Sequence, residues 1–262
     1  MARSRPQTPR LAVIGGGNLG GAFLAGLAQA AGARFVVEPD KDKQRALKAY
    51  ATPCARVADL PDDLDLAIIT VKPPLVKGVL AELAAKKPAH VVSFAAGVTL
   101  AQMRAAIGAR KTTLHRGMAS TAAASCASTT TLCDEKSALP QALQDLLATL
   151  GEVISIADEK WMDAITAVSA SAPAFFLLAM EGLSDGGLRL GLPRDLADRL
   201  AVGAARAAEA VARKEHMTRA KHKITSPGGT TIAGLTVLER AGVHAAFSDA
   251  AMAAAARAKE LA

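Results

Sequence analysis

The sequence predicts an α/β protein: a doubly wound, mostly parallel sheet up to about Ala157, then an all-helical region. Three observations predict it. Short apolar runs alternate with helical patterns as far as Ile156, which is how parallel strands joined by crossover helices read. A Gly15-x-Gly17-x-x-Gly20 turn joins the first apolar run to the first helical pattern. From Asp158 onward, strand-like runs give way to alanine-rich stretches of helical period.

Each element follows from its own residues. Leu11–Ile14 is a buried-strand run closed by Gly15, and a helical pattern through Phe23, Leu24 and Leu27 continues to about Ala31. Arg34–Glu38 reads as the next strand and Asp40–Tyr50 as a polar helix. Leu64–Val71 is the strongest strand and stops at Lys72-Pro73-Pro74. Proline ends strand pairing there, and its fixed φ suits the first turn of a helix over Leu75–Ala85. His90–Phe94 is a further strand, followed by Ala95-Ala96-Gly97 and a helix from about Thr99 to Ile107. Weaker strands lie at Thr112–His115 and Ser128–Cys133, then a helix at Leu139–Leu150 and a strand at Val153–Ile156. Glu159–Leu190 is one long helix or two, broken around Ala172-Pro173. Arg194–Arg213 follows the Gly191-Leu192-Pro193 turn, and Ile232–Arg240 and an amphipathic helix to Leu261 flank Gly242. The expected domains are therefore 1–157 and 158–262. Alanine-rich helices with few large side chains bury little alone, so the second region is expected to pack against a copy of itself.

Composition narrows the function. A chain of 262 residues can bury a real core. Aromatics are only 3% of a chain that is 51% hydrophobic, so alanine and leucine must fill that core. Lys and Arg exceed Asp and Glu by 31 − 24 = +7, which attracts anions without specifying one. No aromatic residues interleave with the basic ones and no zinc-finger or reader-helix spacing occurs, so no nucleic-acid partner is expected. The run Arg213–Lys223 is densely basic; it reads as a solvated helix face or as an attractor of acidic ligands. Cys54, Cys126 and Cys133 are odd in number without C-x-x-C spacing, which suits reduced thiols in the cytoplasm. Three arginines and no acid in the first ten residues faintly resemble a transit peptide. They run into Leu11–Ile14, too short for a signal peptide or membrane span. A soluble cytoplasmic protein without a metal site is expected. His90, His115, His216, His222 and His244 are scattered, and no Ser–His–Asp, Cys–His or paired-carboxylate arrangement stands out.

Two glycine-rich segments carry the chemistry. In Gly15-x-Gly17-x-x-Gly20 the glycines permit a tight turn, close approach of a pyrophosphate and packing of helix on strand, a dinucleotide-binding arrangement. Glu38 lies 38 − 20 = 18 positions beyond Gly20, at the end of a strand, where a carboxylate can bond a ribose 2′-hydroxyl. Asp40 adds a second negative charge, which tilts the reading towards NAD, although Lys41, Lys43 and Arg45 keep a 2′-phosphate open; both acids would equally serve as helix caps. The second segment is Lys223-Ile-Thr-Ser226-Pro-Gly228-Gly229-Thr230-Thr231-Ile-Ala-Gly-Leu235. Small side chains and two glycines precede a helix start, whose unpaired N–H groups and partial positive charge cradle a small anion such as a carboxylate. The backbone N–H groups of Gly228, Gly229 and Thr230 are the candidate donors.

With these residues in place, the chain resembles the Δ1-pyrroline-5-carboxylate reductase family over essentially its whole length. The residues that carry the resemblance are Ile14-Gly15-x-Gly17-Asn18-Leu19-Gly20, Val71-Lys72-Pro73, and Ser93-x-Ala95-Ala-Gly97. Thr166, Ser169-x-Ser171-x-Pro173-Ala174, Gly191-Leu192 and Thr225–Gly234 follow in the same order, the last being the most specific. The resemblance implies a Rossmann-type NAD(P)H-binding domain and a helical substrate-binding and dimerisation domain, with larger rings of dimers and active sites between subunits. It implies that the Ser226–Thr230 loop holds the substrate carboxylate and that Thr231 lies near the ring nitrogen. Thr166 is a second candidate for that nitrogen, helix capping being the plainer role of both threonines, and Ser171 lines the substrate pocket or back-bonds within its helix. Lys72 contacts the cofactor or is simply exposed. Two departures stand out. The chain reads Met118-Ala-Ser120-Thr-Ala122 where the family usually has Met-Pro-Asn-Thr-Pro, and Ser169-Ala-Ser-Ala-Pro-Ala174 where it has Ser-Gly-Ser-Gly-Pro-Ala. If those glycines need positive φ, each alanine costs about 1 kcal/mol or more; as ordinary helix positions, which the pattern favours, alanine helps.

The implied reaction is hydride transfer from NADPH or NADH to the C=N bond of 1-pyrroline-5-carboxylate, giving L-proline. A protonated iminium accepts hydride readily, so no strongly basic side chain is required. The alternatives are a reductase of another cyclic imine or related carboxylate, and a non-catalytic cofactor-binding paralogue. A β-hydroxyacid dehydrogenase would want a catalytic lysine in its helical region, and Lys214 and Lys221 sit in no matching motif.

Overall fold

The computed structural model describes residues 8–260, so the arginine-bearing segment before Thr8, and Leu261 and Ala262, lie outside the described residues. Two compact units emerge. One runs to Ala170 and takes in the chain again from Ala254; the other is Ser171–Ala253. The change of pattern in the sequence falls near Ala157, earlier than this division. The intervening turn packs Met162, Ile165 and Ala170 onto the core of the first unit, which explains the offset.

The first unit is built on one eight-stranded sheet. Its strands are β1 (Arg10–Ile14), β2 (Ala33–Val37), β3 (Thr52–Cys54), β4 (Leu66–Ile69), β5 (His90–Ser93), β6 (Thr113–Met118), β7 (Ser128–Asp134) and β8 (Gly151–Ile156). They lie in the order β3-β2-β1-β4-β5-β6-β7-β8. All neighbours are parallel except β6 and β7, which pair antiparallel. Alternate residues face opposite layers. Leu11, Val13, Leu66 and Ile68 join one core with Phe23, Leu24 and Leu27 of α1 (Asn18–Gly26). Ala12, Ile14, Ala67 and Ile69 join the other core, which takes Val76, Leu80 and Leu83 of α3 (Val76–Lys86) and Leu100, Met103 and Ile107 of α4 (Leu100–Ile107). The short polar α2 (Lys41–Leu47) and α5 (Gln141–Ala148) complete the crossovers, α5 burying Leu143, Leu146 and Leu147.

Two details differ from the sequence pattern. β3 has no strong signal because it is three residues long and contains Pro53; it survives at the sheet edge, where a missing donor costs little. Helix α1 stops at Gly26 rather than near Ala31, and a side chain at Gly26 would run into the Ala123 carbonyl oxygen.

After β8, a short turn leads into α6 (Met162–Ile165), then a π-helical segment, Thr166–Ser171, then α7 (Ala172–Arg189). Pro173 accounts for the wider turn, since it has no N–H to bond the carbonyl four residues back and its ring crowds that group. The second unit continues with α8 (Arg194–Ala212), α9 (Met217–Lys223), α10 (Thr230–Arg240) and α11 (Val243–Glu260) as far as Ala253, after which α11 groups with the first unit. By length and composition alone, the stretch Glu159–Arg189 is long and apolar enough to cross a membrane: an 18-residue window of it has mean hydropathy 1.5 and is 11% buried. Its exposed apolar residues include Val168, Phe176, Leu177, Leu178 and Leu183.

Candidate active site

The glycine turn sits at the carboxyl end of β1, where the strand order reverses between β1 and β4. That is the switch point at which doubly wound sheets open a ligand crevice. Gly15 has φ +106°, and a side chain there would press on Val71 Cγ1 at 2.9 Å. A Cβ on Gly20 would run into the Gly15 carbonyl oxygen and lie 2.7 Å from Thr70 Oγ1. Gly17 is different: a Cβ there would meet nothing within 4 Å. Protein packing therefore demands glycine at 15 and 20 but not at 17, so the space beside Gly17 suits a group that is not protein. Gly17 caps α1 without any side-chain hydrogen bond, and no acid lies in the first turn, which leaves the helix start open to an anion. These residues fit the pyrophosphate of a dinucleotide.

Two side chains brace the turn. Thr70 Oγ1 lies 2.8 Å from the Gly15 carbonyl oxygen and 3.2 Å from that of Ile14, so one hydroxyl proton serves the start of the loop. Glu38, buried at the end of β2, accepts from the Gly16 amide at 2.9 Å and from the Asp40 amide at 3.0 Å. The sequence expects Glu38 to meet the ribose or to cap the next helix; in the structure its carboxylate ties the glycine turn to the end of β2. Asp40 caps α2, accepting from Asp42 and Lys43 amides. The Lys43 and then the Asp42 amide hold its carboxyl below the usual carboxylate range. Thr70 escaped the sequence reading; its signal is a hydroxyl ending an otherwise apolar strand.

The remaining cofactor candidates line the same edge of the sheet. Val71 is half-buried against Gly15, Lys72 is exposed, and Pro73 opens a turn of 3-10 helix before α3. Beyond β5, Ala95 is buried and donates its amide to Ser93 Oγ at 3.4 Å, and Gly97 takes φ +76°. Met118 ends β6 with its side chain in the second core. Ser120 is buried, and its amide donates to Ser128 Oγ at 3.1 Å.

Thr166 lies in the first unit, at the start of the π segment, and its hydroxyl donates to the Met162 carbonyl oxygen at 2.8 Å. It back-bonds rather than caps. Ala170 is partly buried against the second core, and neither Ala170 nor Ala172 has positive φ. The two added methyl groups thus sit at helical positions that tolerate them.

Ser171 and residues 226–231 belong to the second unit. Ser171 stands at the start of α7 without a capping bond. In the loop, Thr225 Oγ1 donates to the Lys221 carbonyl oxygen at 2.7 Å, Gly228 takes φ +68°, and the Gly229 amide donates to the Ser226 carbonyl oxygen at 3.1 Å. The Gly229 donor is thereby taken up inside the loop. Gly229 caps α10 without a side-chain bond, so the first-turn amides of Thr230, Thr231 and Ile232 have no intrahelical acceptor. Ser226 Oγ occupies the space a Gly229 side chain would need. Among the described residues, no group of three or more His, Cys, Asp or Glu is arranged to hold a metal ion.

Comparison with known proteins identifies the family. Residues 159–261 match the family profile described as pyrroline-5-carboxylate reductase dimerisation, and residues 10–97 match that of NADP oxidoreductase, coenzyme F420-dependent. The pyrroline-5-carboxylate reductase of Synechocystis sp. is 35% identical over 96% of this chain and 98% of its own. That of Mycobacterium tuberculosis is 33% identical, with 96% of each chain covered. The crystal structure of the Streptococcus pyogenes enzyme aligns with TM-score 0.84 and 29% identity over 96% of this chain and 98% of that one. The NADP-bound Plasmodium falciparum pyrroline carboxylate reductase, at 24% identity and TM-score 0.86 over 97% and 98%, shares the fold. The chain belongs to the pyrroline-5-carboxylate reductase family.

Proposed function

We infer that this chain is an oxidoreductase that reduces the C=N bond of 1-pyrroline-5-carboxylate to give L-proline, using NAD(P)H. The observation that carries the cofactor half is the glycine turn, in which Gly17 alone is not required by the protein's own packing. Identity of 35% over 96% of the chain to the pyrroline-5-carboxylate reductase of Synechocystis sp. supports the substrate half.

When bound, the reduced nicotinamide supplies the hydride. The chain's residues do the rest. The Gly15–Gly20 turn and the start of α1, with Asn18 and Leu19, hold the pyrophosphate, braced by Glu38 and Thr70. Val71–Pro73, Ala95–Gly97, Met118 and Ser120 wall the cofactor along the same sheet edge. The amides of Gly228, Thr230 and Thr231, shaped by Ser226 and Gly229, hold the substrate carboxylate. Thr166 has given its proton to the Met162 carbonyl, so its oxygen is left to accept, which suits the N–H of a protonated ring imine. Within the second unit, Thr231 is the candidate hydroxyl beside the carboxylate loop and Ser171 the candidate for contact with the ring. A carbon that receives hydride while its nitrogen already bears a proton needs no base, consistent with a site assembled from hydroxyls and amides. We also infer a homo-oligomer, supported by the dimerisation profile and the uncovered apolar residues of the second unit, and a cytoplasmic location, supported by cysteines without a paired spacing.

The test is initial-rate oxidation of NADH and of NADPH with pyrroline-5-carboxylate. Turnover is expected; reduction of other cyclic imines but not this one would sink the substrate assignment. Gly229→Val displaces Ser226 and is expected to raise KM for the imino acid at least about tenfold, the loss of roughly one charge-assisted bond, with NAD(P)H affinity unchanged. Normal KM in that variant would remove the loop from the site.

A further inference from the structure

Arg116 carries an arrangement that hydride transfer does not itself call for. It lies on β6 between Ser93 of β5 and Cys133 of β7, and is only 4% exposed. Its Nη1 donates to Glu159 Oε1 at 3.1 Å and its Nη2 to Asp163 Oδ1 at 3.1 Å. Glu159 Oε1 also accepts the amide of Leu100, the first residue of α4, at 2.8 Å. Nε is buried without a partner.

That geometry is unusual for a pair meant only to stabilise. The strongest arginine–carboxylate contact is side-on and bidentate to one acid, and even then desolvation offsets much of the attraction. Arg116 instead spans two acids and leaves Nε unpaired. The acids are four residues apart, one helical turn, so the guanidinium pins both ends of the turn 159–163 to β6. Thr166 follows three residues later and bonds the carbonyl of Met162, the residue before Asp163; the Met162 side chain is fully buried. Any slide or rotation of this turn carries the Thr166 hydroxyl with it.

We propose that Arg116 is a positioning residue: by clamping Glu159 and Asp163 it fixes the Thr166 hydroxyl where the imine nitrogen is held. The inference rests on the role given to Thr166 above. The experiment compares Arg116→Met, Arg116→Lys and Asp163→Asn, alone and combined with Thr166→Val, in the full chain. Initial rates with pyrroline-5-carboxylate and NADPH are read beside NADPH binding by fluorescence titration. Misplacement of about 1 Å costs on the order of 100-fold, so Arg116→Met is expected to lower kcat by about that factor while leaving the NADPH Kd within about threefold. Arg116→Lys recovers part of the loss, since one ammonium reaches one acid but not two. In the Thr166→Val background the same change costs less than about threefold, because the group being positioned is gone. Retained kcat in Arg116→Met, full additivity with Thr166→Val, an unimpaired Thr166→Val, or an equal loss of NADPH affinity would each overturn the proposal. If Arg116→Met does not fold, Asp163→Asn, which leaves Arg116 paired with Glu159, carries the same test. An unaltered chain without turnover sinks the reduction reading and the inference together; normal turnover in that chain beside a fully active Arg116→Met sinks this inference alone.

Discussion

Gly17 and Gly20 are glycines for different reasons, and substitution separates them. Gly20→Ala drives a methyl into the Gly15 carbonyl oxygen, an overpacking expected to cost about 1–3 kcal/mol or more and to lower the melting temperature. Gly17→Ala meets no protein atom and is expected to leave the melting temperature unchanged while weakening NADPH binding about tenfold or more, by excluding close pyrophosphate approach. Thermal unfolding beside fluorescence titration reads both; unchanged NADPH affinity in Gly17→Ala would refute the placement of the pyrophosphate. The turn itself was legible because its spacing reports a backbone requirement that few other residues satisfy. Glu38 was legible as an acid at the right place but not as a brace. Its two amide partners, Gly16 and Asp40, come together only once β1 and β2 pair.

At the scale of elements, β5, β6 and β7 share a chain of titratable groups at the end of the sheet away from the glycine turn. His115, fully buried, has Nδ1 2.6 Å from Asp134 Oδ1, and its Nε2 lies 3.1 Å from His90 Nδ1. Burial lowers the pKa of both histidines below 6.5, assisted at His90 by the neighbouring His115, and the nearby acids Asp65, Asp134 and Glu135 oppose the shift without reversing it. The unfolded chain therefore binds protons first as pH falls. The stability of these neutral histidines is complete above the ordinary value of 6.5 and is lost below it. The melting temperature is expected to drop between about pH 7.5 and pH 5.5, and His90→Gln with His115→Gln to flatten that slope; a slope identical in the double variant would assign it elsewhere. The order of strands and helices was readable because apolar runs and proline or glycine breaks are local. What was not readable is the antiparallel β7, since pairing direction depends on the connection, and the π segment, whose cause lies in Pro173 two residues beyond it. The same limit hid Arg116: nothing in its neighbours along the chain announces two acids more than forty residues away.

For the molecule as a whole, the second unit leaves Phe176, Leu177, Leu178 and Val202 uncovered, Leu178 at 69% exposure. Exposed apolar area of this kind marks an association surface. Leu177→Glu with Leu178→Glu is expected to shift the chain towards monomer in light scattering and to lower its melting temperature, while leaving the glycine turn able to bind NADPH. An unchanged mass would place the contact on another face. The path of the chain adds a different constraint. Residues from Ala254 onward rejoin the sheet-bearing unit, where Ala258 is buried, so the polypeptide leaves that unit once and comes back. The helical unit is an insertion rather than an appendage, tethered at both ends. Severing the protein near Ala157 therefore cannot yield two complete halves, because the later piece would keep residues that group with the earlier one.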